Sequence, residues 1–165
     1  MRKLSFFTAT FALVLLLASS AFAGEVKKTI PGELTLVQAQ AILKAAQAKA
    51  EAIKVPMNIA VVDSGGNLKA FARMDDAFIG SIDIATKKAI TARYFNMPTR
   101  ALGEASQVGK SLYSIEVSND GLILFAGGLL LVDKNNVIIG AIGVSGGSVD
   151  EDESVAQAGC DTLLK

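Results

Sequence analysis

The sequence predicts an α/β domain of the α+β kind, a five-stranded and mainly antiparallel sheet flanked by helices. Three observations predict it. Two stretches, one after Thr35 and one after Ser148, open on capping-box spacing, Thr35 with Gln38 and Ser148 with Glu151. Five apolar runs have strand length, and short Gly/Asn turns join several of them as hairpins. The order is helix, two strands, helices, three strands, helix, and hairpin links that short make neighbouring strands antiparallel.

The chain of 165 residues starts with a segment set aside from the fold. Arg2 and Lys3 precede an apolar run from Phe6 to Ala18, and Ala21-Phe22-Ala23 follows before Gly24. Basic, apolar and small-residue blocks in that order read as a signal peptide, residues 1–23, cut after Ala23. Its apolar core is shorter than the roughly 20 residues a membrane-spanning helix needs. The expectation is a periplasmic or extracellular protein with no stable membrane insertion after cleavage. Residues 24–33, with Pro31-Gly32, read as an N-terminal arm, and 34–165 as one domain.

Thr35 opens the first helix, in which Val37, Ala41, Ile42, Ala45, Ala48, Ala52 and Ile53 form an apolar stripe. Pro56 marks its end region, because the residue before a proline is pushed out of the helical basin. Met57 to Asp63 is β-branched and apolar and reads as a buried strand. Ser64-Gly65-Gly66-Asn67 turns the chain into Leu68–Met74, which carries Lys69, Phe71 and Arg73 on one face. Ser81 is read as the cap of a helix to about Phe95, and Thr99 as the cap of a short helix to about Ser106. Residues 107–120 read as loop. Gly121–Phe125, Gly128–Asp133 and Val137–Ser145 are the remaining predicted strands, with Asp133-Lys134-Asn135-Asn136 as the last hairpin turn. Asp150, Glu151 and Asp152 complement the dipole at the start of the final helix.

Composition excludes several function classes. Without residues 1–23 the chain has 142 residues, with 14 basic against 16 acidic, a net charge of −2. No basic block remains to track a phosphate backbone, so nucleic acid is not an expected partner. Histidine is absent, which removes Ser-His-Asp and Cys-His catalysis, His-based zinc sites and His-ligated haem. Cys160 is the single cysteine, so no disulfide forms within the chain; it is either buried or paired with another chain. No catalytic nucleophile–base pair and no EF-hand spacing is present, so neither catalytic nor metal residues are assigned.

Three segments carry a resemblance: AVVDSGGNLKAFARMD (60–75), GSIDIATKKAITA (80–92) and GAIGVSGGSVDEDESVAQAG (140–159). Together they resemble the GlcG/HbpS family, over nearly all of the chain from Leu34 onward. The resemblance implies a five-stranded antiparallel sheet with flanking helices in a homo-oligomer. The exported, haem-binding members are similar in layout. They imply haem as cofactor and, for some, contact with the external domain of a sensor kinase. A threonine in the helix matching KKAITA is associated with the haem iron in that group, and the matching residue is Thr91. The chain departs from the family in having no histidine, which leaves Tyr94, Met97, Tyr113 and Met74 as other ligand types. It departs again at Gly127-Gly128-Leu129, where relatives commonly have a proline after the glycines.

The candidate cofactor-binding residues are Thr91, Lys88, Tyr94, Arg73 and Phe71. Thr91, Lys88 and Tyr94 are read as one side of the second helix, a pocket edge that meets iron and a propionate; the alternative is ordinary core and surface. Arg73 with Lys69 can pair with ligand carboxylates while Phe71 stacks on a flat ring; the alternative is a sheet face covered by long side chains. The link Gly143–Ser148 looks like an anion cradle, and a turn required by packing is the competing reading. Three functions stay open. The first is an exported small-ligand-binding protein for haem or a related tetrapyrrole. The second is an oligomeric module that modulates a membrane sensor without a cofactor. The third is an enzyme acting on haem or a small organic acid.

Overall fold

The computed structural model describes Ile30 and residues 32–164. The predicted signal segment 1–23, and the predicted arm apart from Ile30, Gly32 and Glu33, lie outside the described residues. Helix α1 spans Leu36–Ile53 and carries the expected capping box: Thr35 accepts from the Gln38 backbone while Gln38 accepts from that of Thr35. The buried positions are Ala39, Ile42, Ala46 and Ala50. Val37, Ala41, Ala48 and Ala52, read as part of the apolar stripe, are exposed. In a helix this rich in alanine several faces are almost equally apolar, and the larger Ile42 decides which one packs.

Strands β1 (Asn58–Asp63) and β2 (Leu68–Arg73) form the first hairpin. Helix α2 is Ser81–Phe95 and helix α3 is Thr99–Ala105. A single 3₁₀ turn, Ile115–Val117, interrupts the following loop. Strands β3 (Gly128–Val132) and β4 (Ile138–Ser145) form the second hairpin, and α4 (Val149–Cys160) ends in a 3₁₀ turn at Asp161–Leu164. The sheet order is β2-β1-β4-β3 and every pairing is antiparallel. Among the described residues no helix is long and apolar enough to cross a membrane.

The sheet has four strands where the sequence predicts five. Gly121–Phe125 runs beside the domain without joining the sheet. Its backbone is satisfied elsewhere: Leu122 N–H donates to the Glu116 carbonyl, Ile123 N–H to the Thr91 hydroxyl, and the Phe125 carbonyl accepts from the Thr99 hydroxyl. A segment whose polar groups are already paired has no ladder bonds left to offer. The same contacts correct the cap assignments. Gly80 and Pro98 occupy the cap positions of α2 and α3, and Thr99 spends its oxygen on Phe125 and on the Gly128 N–H. The final helix is capped as read, by Ser148 with Glu151.

Strand alternation sends the two sheet faces into different cores. One face carries Ile59, Val61, Leu129, Leu131, Ile142 and Val144 against α1 and α4. The other carries Ala60, Val62 and Ala141 against Ala85, Ala89 and Ala92 of α2. Here helix and sheet approach so closely that a Cβ on Gly143 would lie 2.0 Å from the Ala85 carbonyl oxygen.

Candidate functional site

Helix α2 separates its polar residues by direction. Lys88 points inward and is fully buried. Its ammonium donates to Asp152 Oδ2 at 2.6 Å and to the Val144 carbonyl at 2.8 Å, and sits 4.7 Å from the centre of the Phe125 ring. Asp152 accepts in turn from the Gly147 N–H through Oδ1. Gly127 leaves room for this contact, since a Cβ there would lie 2.8 Å from Lys88 Nζ. Burial pushes the Lys88 ammonium down and the Asp152 carboxyl up, while their mutual hydrogen bond opposes both shifts. The pair clamps α2, the end of β4 and the start of α4 together.

Thr91 is also buried, and its hydroxyl oxygen accepts from Ile123 N–H at 3.1 Å. Tyr94 faces out and is 51% exposed. Lys88, Thr91 and Tyr94 therefore do not form one edge. At about 100° per residue, Tyr94 stands roughly 120° around the helix from Lys88. Burial of Lys88 takes its charge away from the surface, where a propionate would have to meet it.

What surrounds Tyr94 is a surface cleft of about 340 Å³, lined by Lys87, Ile90, Tyr94, Asn119, Asp120 and Gly121. Lys87, Ile90 and Tyr94 follow one another along the outer face of α2 at helical spacing. The opposite wall is a tight reversal: Asn119, Asp120 and Gly121 all have positive φ, at 52°, 57° and 95°. Backbone so placed persists where neighbours hold it, and the Thr91 bond to Ile123 holds it two residues further on. Thr91 is thus the support of the cleft wall rather than part of its lining. Lys87 pairs with Asp83 at 3.0 Å and remains one-third exposed. The Tyr94 ring also covers the β1–β2 turn, where a Cβ on Gly66 would lie 2.6 Å from it.

The remaining sequence-predicted residues lie apart from this cleft. Phe71, on β2, is half-buried against the alanine cluster beneath α2, and Arg73 is exposed at the end of the same edge strand. Among the other ligand types, Met74 sulfur accepts from Met57 N–H at 3.4 Å and Tyr113 is exposed in the 107–120 segment. The link Gly143–Ser148 satisfies its own donors: Gly147 N–H meets Asp152 and Ser148 N–H meets Glu151. Cys160 is partly buried, and burial pushes its thiol up to about 12. Sequence reasoning missed Lys87, Ile90, Asn119, Asp120 and Gly121. The available signals were the spacing 87, 90, 94 and the run Asn119-Asp120-Gly121, a left-handed turn composition.

A single-sheet α+β domain with a surface cleft carried on one helix is the class these features define. The chain belongs to the HbpS-like family, whose model, described as haem degrading protein HbpS-like, matches residues 34–161. It is similar to an uncharacterised 15.0 kDa protein of the dhaT-dhaS intergenic region of Citrobacter freundii, 43% identical over 78% of this chain and 90% of that one. The chain spans only 39% of the corrinoid adenosyltransferase PduO of Salmonella typhimurium, at 34% identity. Among solved structures it is similar to a PduOC–haem complex (TM-score 0.75, 32% identity, 79% of this chain and 95% of that one). It is likewise similar to a double mutant of HbpS from Streptomyces reticuli (TM-score 0.70, 33% identity, 87% and 94%). Haem thus appears in the description of the family and in one of these solved relatives.

Proposed function

We propose that this chain is an exported protein that binds haem or a related tetrapyrrole outside the cytoplasm, using the outer face of α2. The observation that carries the reading is the likeness, over most of the domain, to a PduOC structure solved with haem. The residues lining the cleft fit part of what such a ligand needs. Ile90 and the Tyr94 ring give an apolar surface, Lys87 supplies a cation for a propionate, and the Tyr94 phenol is of a type that ligates haem iron. At about 340 Å³ the cleft is at the small end for a ligand pocket, so a macrocycle would stand partly out of one subunit. Arg73 and Phe71 are not arranged around the same cleft. A bound haem would supply redox chemistry and oxygen affinity at its iron. The protein's own residues would orient it: Lys87 through a carboxylate, Thr91 by fixing the loop, Tyr94 by ring contact or phenolate.

The test is a hemin titration of the purified chain followed at the Soret band. Saturable binding is expected, weakened roughly tenfold by Lys87→Ala, the worth of one charge-assisted hydrogen bond of about 1.5 kcal/mol. Tyr94→Phe is expected to shift the Soret maximum, and Lys88→Met to leave it in place if folding is retained. A titration identical to that of free hemin would reject the reading. Loss of the Soret band under reductant, with product release, would instead mark an enzyme that degrades haem.

A further inference from the structure

One row of the sheet stands apart from both hydrophobic cores and from the cleft. Asn58 opens β1, opposite Ser145 of β4 on one side and Arg73 of β2 on the other. Residues directly opposite on antiparallel strands share a face. Asn58 lies two positions before Ala60, so the row faces α2. Ser81, one helical turn before the inward Ala85, comes down over it. Asn58, Ser81 and Ser145 are all more than nine-tenths buried. The Phe78 carbonyl draws two of them together: it accepts from Asn58 Nδ2 at 3.0 Å and from Ser81 N–H at 3.2 Å.

The other end of the Asn58 amide is unanswered. Its Oδ1 is buried and has no hydrogen-bond partner among the described residues, so neither serine hydroxyl donates to it. Turning the amide over gives no relief, because Oδ1 would then face the Phe78 carbonyl. A buried acceptor without a donor bears its full desolvation cost. What it lacks is a donor from outside the chain. At the rim of the row Arg73 is exposed, and it takes part in no ion pair among the described residues, neither with Asp75 nor with Asp76. A guanidinium so placed offers a fork to a carboxylate. Opposite Cα atoms in a sheet are about 5 Å apart, so the anion and the donor belong to one short molecule. The roof over the row is the loop 75–80. It is open at Gly80, where a Cβ would meet nothing within 4 Å.

We propose that this row is a ligand site of its own, for a short carboxylic acid that carries a hydroxyl or an ammonium group on the carbon beside the carboxylate. The carboxylate pairs with Arg73, the hydroxyl or ammonium donates to Asn58 Oδ1, and the hydroxyls of Ser81 and Ser145 supply the remaining polar contacts. Because Asn58 is sealed, the loop 75–80 lifts to admit the ligand and closes on it. The site shares no residue with the cleft on the outer face of α2, so it stands whether or not haem binds.

Lactate, alanine and propionate test it, since they differ only in the group beside the carboxylate: a hydroxyl, an ammonium or a hydrogen. Each is titrated into the purified chain while the Asn58 side-chain amide and the backbone amides of residues 75–81 are followed by NMR. Lactate or alanine is expected to shift those signals saturably, and the one that does so identifies the donor. Propionate is expected to bind at least roughly tenfold more weakly, because it leaves Oδ1 unpaired. Arg73→Gln, a change at an exposed position, is expected to weaken binding of the preferred acid by roughly tenfold. Propionate binding as tightly as the better of the other two would overturn the proposal, and so would an Arg73→Gln chain with wild-type affinity. Silence of these signals towards all three acids at about 10 mM, a concentration that fills millimolar sites, would overturn it too and leave the Asn58 acceptor to a buried water.

Discussion

The two faces of the sheet solve the same packing problem with opposite materials. Against α1 and α4 the sheet presents Ile59, Val61, Leu131, Ile142 and Val144, and interdigitated branched side chains fill the layer. Against α2 it presents Ala60, Ala141 and Gly143, and α2 answers with Ala85, Ala89 and Ala92. The first face is held by apolar volume. The second gains little from volume and instead carries a buried ion pair, Lys88 with Asp152, both almost wholly inaccessible. The contrast shows how a thin layer can still specify one arrangement: the lysine fits in a single place, where Gly127 is vacant of side chain and Asp152 waits.

The largest effect that tests this contrast is loss of one partner of the pair. Lys88→Met leaves Asp152 buried without its counter-charge and is expected to cost about 3–5 kcal/mol in urea unfolding. Lys88→Met combined with Asp152→Leu is expected to recover much of that loss. If the double variant were as unstable as the single one, the pair would not be what secures α2. Next comes overpacking of the thin layer: Ala89→Val is expected to cost about 1–3 kcal/mol, because backbone lies on the far side of the contact. Ile142→Val, on the thick face, is expected to cost about 0.5–1.5 kcal/mol. Equal losses at the two positions would erase the distinction between the faces.

The smallest effect concerns acid. Burial pushes the Asp63 carboxyl up, but hydrogen bonds from Asn67 and Gly65 and the charge of Lys69 outweigh it, so its net shift is downward. A depressed carboxyl contributes stability above the unfolded value of about 3.9 and loses it as pH falls through the folded one. Asp152 runs the other way: its carboxyl is raised, so its contribution weakens as pH rises from about 3.9 through the folded value. Asp63→Asn is therefore expected to flatten the fall in stability between about pH 4 and pH 2, measured by urea unfolding at stepped pH. A variant with the wild-type slope in that window would remove Asp63 from the account.

Much of this molecule is legible in its sequence, and the reasons are local. The Thr35–Gln38 and Ser148–Glu151 boxes close over three residues, so adjacent letters reveal them. The hairpin turns after Asp63 and Asp133 are equally short-range. Gly121–Phe125 was misread because the groups that divert it are Thr91 and Thr99, each more than 20 residues upstream. Lys88 looked like a surface cation because Asp152 is 64 positions away. The cleft itself required knowing that the 119–121 reversal comes to rest beside α2. Of the five candidate residues, read as two groups, the structure places Tyr94 in the cleft, Thr91 behind its wall and Lys88 in the core, while Phe71 and Arg73 belong to another edge.

The two hairpin turns are built alike. Asp63 Oδ1 accepts from the N–H groups of Gly65 and Asn67, and Asp133 Oδ1 accepts from those of Asn135 and Val137. Each aspartate also closes its turn with its own N–H, to the carbonyl of Asn67 or Val137. Such reversals assemble from neighbouring residues, on the microsecond scale of isolated hairpins. The central pairing of β1 with β4, by contrast, joins Asn58 to Ser145 across most of the domain. Chain closure over that distance sets the pace. Refolding is therefore expected to present two early hairpins that wait for one slow meeting in the middle of the sheet.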